Sequence, residues 1–141
     1  VLISKAACRS ITEHVEAVYP EEACGVLLGK SSDSFITEAC RTENIAGEDD
    51  TGSYFIIDPL EIYRIEKEAE RAGKELIGFY HSHPDKPAVL SESDTEHMIP
   101  GMAYIILSVT ESGCEDMRGY IKPDNDGPSK NINLNVEETT K

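Results

Sequence analysis

The chain has 141 residues, 39% of them hydrophobic, and a formal net charge of −14 from 27 acidic against 13 basic side chains. That is the length of one ordinary domain with enough apolar material for a core, and a mean hydropathy of −0.37 is that of a soluble protein. So negative a chain is repelled by phosphate backbones and anionic lipid, which argues against nucleic-acid and membrane-surface roles.

Cys8, Cys24, Cys40 and Cys114 show no C-x-x-C spacing, so neither a zinc knuckle nor a thiol–disulfide redox pair is indicated. Buried, reduced thiols in a cytoplasmic protein are the expectation. No apolar run approaches the roughly 18 residues of a membrane span. No charged-then-apolar leader is evident, and the chain opens on Val1 without Met.

Residues 1–19 read as a short strand and then a helix, with Ser4 as cap and Cys8, Ile11, Val15 and Val18 as its apolar stripe. Tyr19-Pro20 stops it. His14 falls off that stripe and is expected in solvent. Pro20-Glu21-Glu22-Ala23-Cys24-Gly25-Val26-Leu27-Leu28-Gly29 sets two carboxylates before a small, apolar strand. The strand's position inside a sheet would carry Glu22 to the sheet's rim, where a carboxylate can serve as general base. Acidic residues also flank strand starts for no chemical reason. Residues 34–45 read as one or two strands, 46–53 as an exposed loop and 54–57 as a short strand. Asp58-Pro59-Leu60-Glu61 then announces a helix, with Ile62, Ile65, Ala69 and Ala72 as its buried face and Gly73 closing it.

Leu76-Ile77-Gly78-Phe79-Tyr80 reads as a buried strand with His81-Ser82-His83 at its exit. Alternate strand residues share a face, so both imidazoles can converge on one point. A loop with two prolines covers 84–90, and a short helix is expected over 91–98. Ser91-x-x-Asp94 caps that helix or returns Asp94 to the histidines; Ser93-x-x-Glu96 competes as cap. Two neutral imidazoles and one carboxylate suit zinc with one position left open, the catalytic type of site. Residues 102–109 form the most hydrophobic strand, 117–122 a partner for it, 123–128 a turn and 131–136 an edge strand before a frayed tail. Strands interleaved with helices make one mixed α/β domain.

Other metal motifs built on paired histidines fail here. Lys86 stands where a metallo-β-lactamase-like site needs its last His, and Pro87 and Ala88 where a cupin needs Glu. The His-x-Glu and Pro-Cys-x-x-Cys of zinc deaminases and the His-Glu-x-x-His of thermolysin-like enzymes are missing. An upstream Glu22, then His81-x-His83, seven residues, Ser91, two residues and Asp94 resembles the motif of the JAMM (MPN-plus) zinc metalloprotease family. Pro20-x-Glu22-x-Cys24-Gly25-x-Leu27-x-Gly29, Phe55-Ile56-Ile57-Asp58-Pro59 and Gly78-Phe79-Tyr80 preceding the histidines are similar to its small stand-alone prokaryotic members.

The resemblance spans roughly residues 1–122, with 123–141 outside it. It implies a single mixed-sheet α/β domain flanked by helices, of cytidine-deaminase-like architecture. It implies one Zn²⁺ per chain held by His81, His83 and Asp94, with Glu22 as general base and Ser91 donating to the oxyanion. Glu21 does not match the base position, and Asp85 falls at a variable loop position. The implied reaction is hydrolysis of an amide bond at the C-terminus of a ubiquitin-like or sulfur-carrier protein. In that reading the substrate is ThiS- or MoaD-like with a Gly-Gly tail, and release of cysteine is one outcome. A zinc amidohydrolase of small peptides and a non-catalytic MPN scaffold are the alternatives.

Overall fold

The computed structural model describes residues 1–45, 57–91, 95, 98–124 and 127–137. The loop expected over 46–53, most of the strand expected over 54–57 and most of the helix expected over 91–98 lie outside these residues, as does Asp94.

Strand β1 (Leu2–Ser4) leads straight into helix α1 (Lys5–Val18), and Ser4 caps it by accepting a hydrogen bond from Ala7 N–H at 3.0 Å. Strands β2 (Cys24–Lys30) and β3 (Phe35–Thr42) form a hairpin. Helix α2 (Pro59–Arg71) starts where Asp58 accepts from Leu60 N–H at 3.0 Å, with Pro59 in the first turn. The helix is over before Gly73, whose φ of 74° only a glycine adopts freely. Strands β4 (Glu75–Pro84), β5 (Ala103–Thr110), β6 (Gly113–Ile121), β7 (Lys130–Ile132) and β8 (Asn135–Glu137) follow.

The eight strands lie in the order β7-β6-β5-β4-β2-β3-β1-β8. β4 pairs parallel with β5 and antiparallel with β2, so β4 is central. β7 and β8 stand at opposite edges, yet only Asn133 and Leu134 join them. Three peptide steps span about 11 Å at most, so the sheet must curl until its edges nearly meet. Val1 ties the start of β8 to β1: Val1 donates to the Asn133 carbonyl, and Asn135 N–H donates back to Val1 O, both at 3.0 Å. The edge strand expected over 131–136 is therefore two short strands, because the backbone must cross the seam between them.

The curl has two sides. The α1 side buries Ile3, Ile11, Val15, Leu27, Tyr80, Ile105 and Leu107 with Leu134 against them. The α2 side buries Val26, Leu28, Ile65, Ala69, Phe79, Tyr104 and Ile106. The strict alternation of Phe79 and Tyr80, or Ile105 and Ile106, between the two cores is the period-2 pattern of a strand covered on both faces.

Four expectations are corrected. His14 is buried, because Tyr80 reaches up from β4 to meet it; the apolar stripe could not reveal a polar partner on another element. Ala72 is exposed, since α2 has ended by then. β6 begins at Gly113 rather than near Met117, with a bulge opposite Ser108/Val109 absorbing the polar start of the strand. β4 runs on through Pro84, so the histidines are inside the strand rather than beyond it. Among the described residues no helix is long and apolar enough to cross a membrane.

Candidate metal centre

His81 and His83 lie on the α2 face of β4, both buried, with their Nε2 atoms 3.2 Å apart. Parallel pairing with β5 over His81↔Ile106 and His83↔Ser108 holds the strand straight through both residues. His83 Nδ1 is 3.0 Å from the Pro87 carbonyl oxygen, which can only accept. Nδ1 therefore carries the proton, and Nε2 presents its lone pair. Pro87 is held in turn, since Ser108 Oγ donates to Lys86 O at 2.6 Å and Tyr120 Oη to Ala88 O at 2.8 Å.

Strand β2 follows directly on Glu22 and pairs with the histidine strand. Cys24 stands opposite His81 in the antiparallel register, and Ser82 N–H donates to Ala23 O at 3.0 Å one rung further on. Opposed residues share a face, so alternation past Ala23 carries Glu22 to the His81/His83 side. The charges agree. Burial pushes the Cys24 thiol up to about 11; Thr42 works against this, and the Glu22 and Glu61 carboxylates add to it. Glu22 Oε1 and His81 Nδ1 are both buried. Glu22 thus lies toward the same end of β2 and β4 as the two imidazoles. Glu21 is exposed.

Ser91 is half-buried, and its carbonyl accepts from Thr95 N–H at 3.1 Å and Thr95 Oγ1 at 3.2 Å, one helical turn on. Asp94 lies outside the described residues, and among those residues no set of three His, Cys, Asp or Glu side chains is gathered to hold a metal. The two imidazoles nonetheless fit zinc. Bonds of 2.0–2.1 Å in a tetrahedron set neighbouring donors about 3.3 Å apart, close to the 3.2 Å between the two Nε2 atoms.

Sequence reasoning missed Ser82 and Tyr19. Ser82 Oγ accepts from Ala23 N–H at 2.8 Å, and Tyr19 Oη donates to Asp85 Oδ1 and Oδ2 at 2.8 and 3.0 Å. Asp85 thus tethers Tyr19 to the end of β4. No spacing rule pairs residues 59 or 66 apart in the chain.

Over 90 residues the chain is 40% identical to a desampylase of Haloferax volcanii, covering 63% of each protein. Over 70 residues it is 31% identical to a Thermus thermophilus protein named "Probable TtuB-protein conjugate cleaving protease", covering 50% of this chain and 44% of the relative. The chain thus matches less than two thirds of either relative's length.

Among solved structures, a Desulfitobacterium hafniense protein superposes with a TM-score of 0.83 at 22% identity over 98% of this chain and 93% of its own. A Salinibacter ruber protein does so at 0.64 and 29% identity, covering 94% and 92%. A JAB1/MPN domain protein from Archaeoglobus fulgidus shares the fold at 0.59 and 21% identity, covering 98% and 100%. The model describing prokaryotic homologues of the JAB domain matches residues 4–120, the span that includes β2, β4 and the histidine pair. With its curled mixed sheet and its two helices, this chain belongs to the family of prokaryotic JAB-domain (JAB/MPN) proteins.

Proposed function

We propose that the chain is a zinc metallopeptidase that hydrolyses the amide bond joining the C-terminus of a ubiquitin-like or sulfur-carrier protein to its conjugate. The observation that carries this reading is the buried Nε2 pair of His81 and His83 at 3.2 Å, with the Glu22 segment pinned alongside it. The names of the Haloferax and Thermus relatives support the substrate class.

His81 and His83 would hold the ion through Nε2, and Asp94 would complete the set. Zinc in such a setting supplies Lewis acidity, polarising a carbonyl and acidifying water. The chain's own residues do the rest. Glu22 takes the proton of the attacking water and returns it to the leaving amine. Ser91 donates a hydrogen bond to the oxygen that gains charge. The Pro87 carbonyl keeps His83 in the tautomer that puts a lone pair on Nε2.

The test is cleavage by the zinc-loaded full chain of a panel of Gly-Gly-tailed carriers conjugated through an amide, run beside short free peptides. Release of intact carrier, abolished by a chelator and restored by zinc, is expected. Failure to cut any conjugate while cutting small peptides would replace this reading with a small-peptide amidohydrolase.

A further inference from the structure

Ser82 sits between the two histidines in sequence but on the opposite, α1 face of β4, and is completely buried. In a regular antiparallel rung, the two residues exchange a pair of N–H···O=C bonds. At the rung of Ala23 and Ser82 only one of these is a backbone bond, Ser82 N–H to Ala23 O at 3.0 Å. The other runs from Ala23 N–H to the Ser82 hydroxyl at 2.8 Å. The residue next to Glu22 is thus attached to the histidine strand through a side chain. A second, exposed tie lies on the other side of Glu22, where Tyr19 Oη donates to both oxygens of Asp85, two residues past His83. Asp85 is itself fixed, with its N–H donating to Val109 O at 2.7 Å. Glu22 therefore lies between two anchors that both run to the segment carrying His83.

We infer that Ser82 is a positioning residue, setting the Glu22 carboxylate against the His81/His83 pair through the Ala23 backbone, with Tyr19–Asp85 as a weaker outer tie. This rests on Glu22 being the general base. Ser82 cannot touch substrate, since it is buried on the far face of the strand. Its hydroxyl acts on where Glu22 stands. Removing it leaves the buried Ala23 N–H without its acceptor, so the segment relaxes. Displacing a reacting group by about 1 Å costs on the order of 100-fold in rate. Threonine keeps the acceptor and should keep the position.

The experiment compares wild type, Ser82→Ala, Ser82→Thr, Tyr19→Phe and Glu22→Gln as full-length, zinc-loaded proteins. It reads zinc per chain, kcat and KM on a carrier conjugate, and hydrogen exchange of the Ala23 amide. Ser82→Ala should keep its zinc, lose roughly 10- to 100-fold in kcat with KM within about twofold, and exchange Ala23 faster. Ser82→Thr should restore both readouts, and Tyr19→Phe should lose only about two- to fivefold in kcat. If Ser82→Ala does not fold, Ser82→Thr decides, because rapid Ala23 exchange in it would overturn the inference. Wild-type kcat in Ser82→Ala, or a loss that merely tracks lost zinc, would overturn it too. Turnover by Glu22→Gln would instead remove the reading of Glu22 as base, so the two failures are told apart.

Discussion

The two faces of β4 carry unlike loads. On the α2 side Phe79, His81 and His83 follow one another, and the last two bring their Nε2 atoms to 3.2 Å apart. On the α1 side Tyr80 and Ser82 are fully buried and spend their hydroxyls on neighbours, Tyr80 on His14 and Ser82 on Ala23. One strand therefore presents a chemical face and a structural face, offset by a single residue. Substitutions on the first should remove activity and leave the fold; on the second, those at Tyr80 should cost stability first, while those at Ser82 should act on turnover through Ala23.

Point substitutions on either face test that division. The largest effect belongs to His83→Ala, which should reduce zinc per chain from about one to near zero by elemental analysis and reduce turnover to background, with the far-UV spectrum retained. Glu22→Gln comes next. It should bind zinc normally and lose about 10²- to 10⁴-fold in kcat, read as conjugate cleavage at saturating substrate. On the structural side, Gly25→Ala would set a Cβ 2.2 Å from Tyr80 Cε2 and 2.5 Å from the Cys40 carbonyl oxygen. Because the carbonyl is backbone and cannot swing away, a loss of about 1–3 kcal/mol or more in chemical denaturation is expected. Tyr80→Phe removes the 2.6 Å bond to His14 Nδ1 and should cost about 1–3 kcal/mol, with kcat nearly unchanged in the zinc-loaded protein.

The smallest effect is a pH slope. Burial, and then the nearby Arg41 charge, hold the His14 imidazole below its ordinary pKa. Burial likewise raises the Tyr80 hydroxyl well above its own, so Tyr80 stays protonated beside His14 Nδ1. The unfolded chain therefore binds a proton that the folded chain refuses. This contribution to stability is fully present above about pH 6.5 and is lost as pH falls below it. Replacing His14 with Gln should flatten part of the acid slope of a denaturation series; an unchanged slope would mean His14 titrates normally.

Much of the fold was legible because its elements announce themselves locally. Ser4 and Asp58 cap the two helices, Gly73 follows the end of the second, and the run from Leu76 to Tyr80 lies in the strand expected of it. The pairing of His81 with His83 was equally readable, since a two-residue step on a strand leaves no choice of face. What could not be read was set by long-range partners. His14 is buried by a hydroxyl 66 residues away. Ser82 had no apparent task until Ala23 was found beside it, and residues 130–137 divide between two sheet edges only because the sheet curls.

The most direct test of the account is an anomalous difference map at the zinc absorption edge from crystals of the zinc-loaded chain. It should show one peak about 2.1 Å from Nε2 of both His81 and His83, with Asp94 on the same ion and the Glu22 carboxylate facing it. A peak elsewhere on the molecule, or Glu22 turned toward the α1 side, would contradict the account.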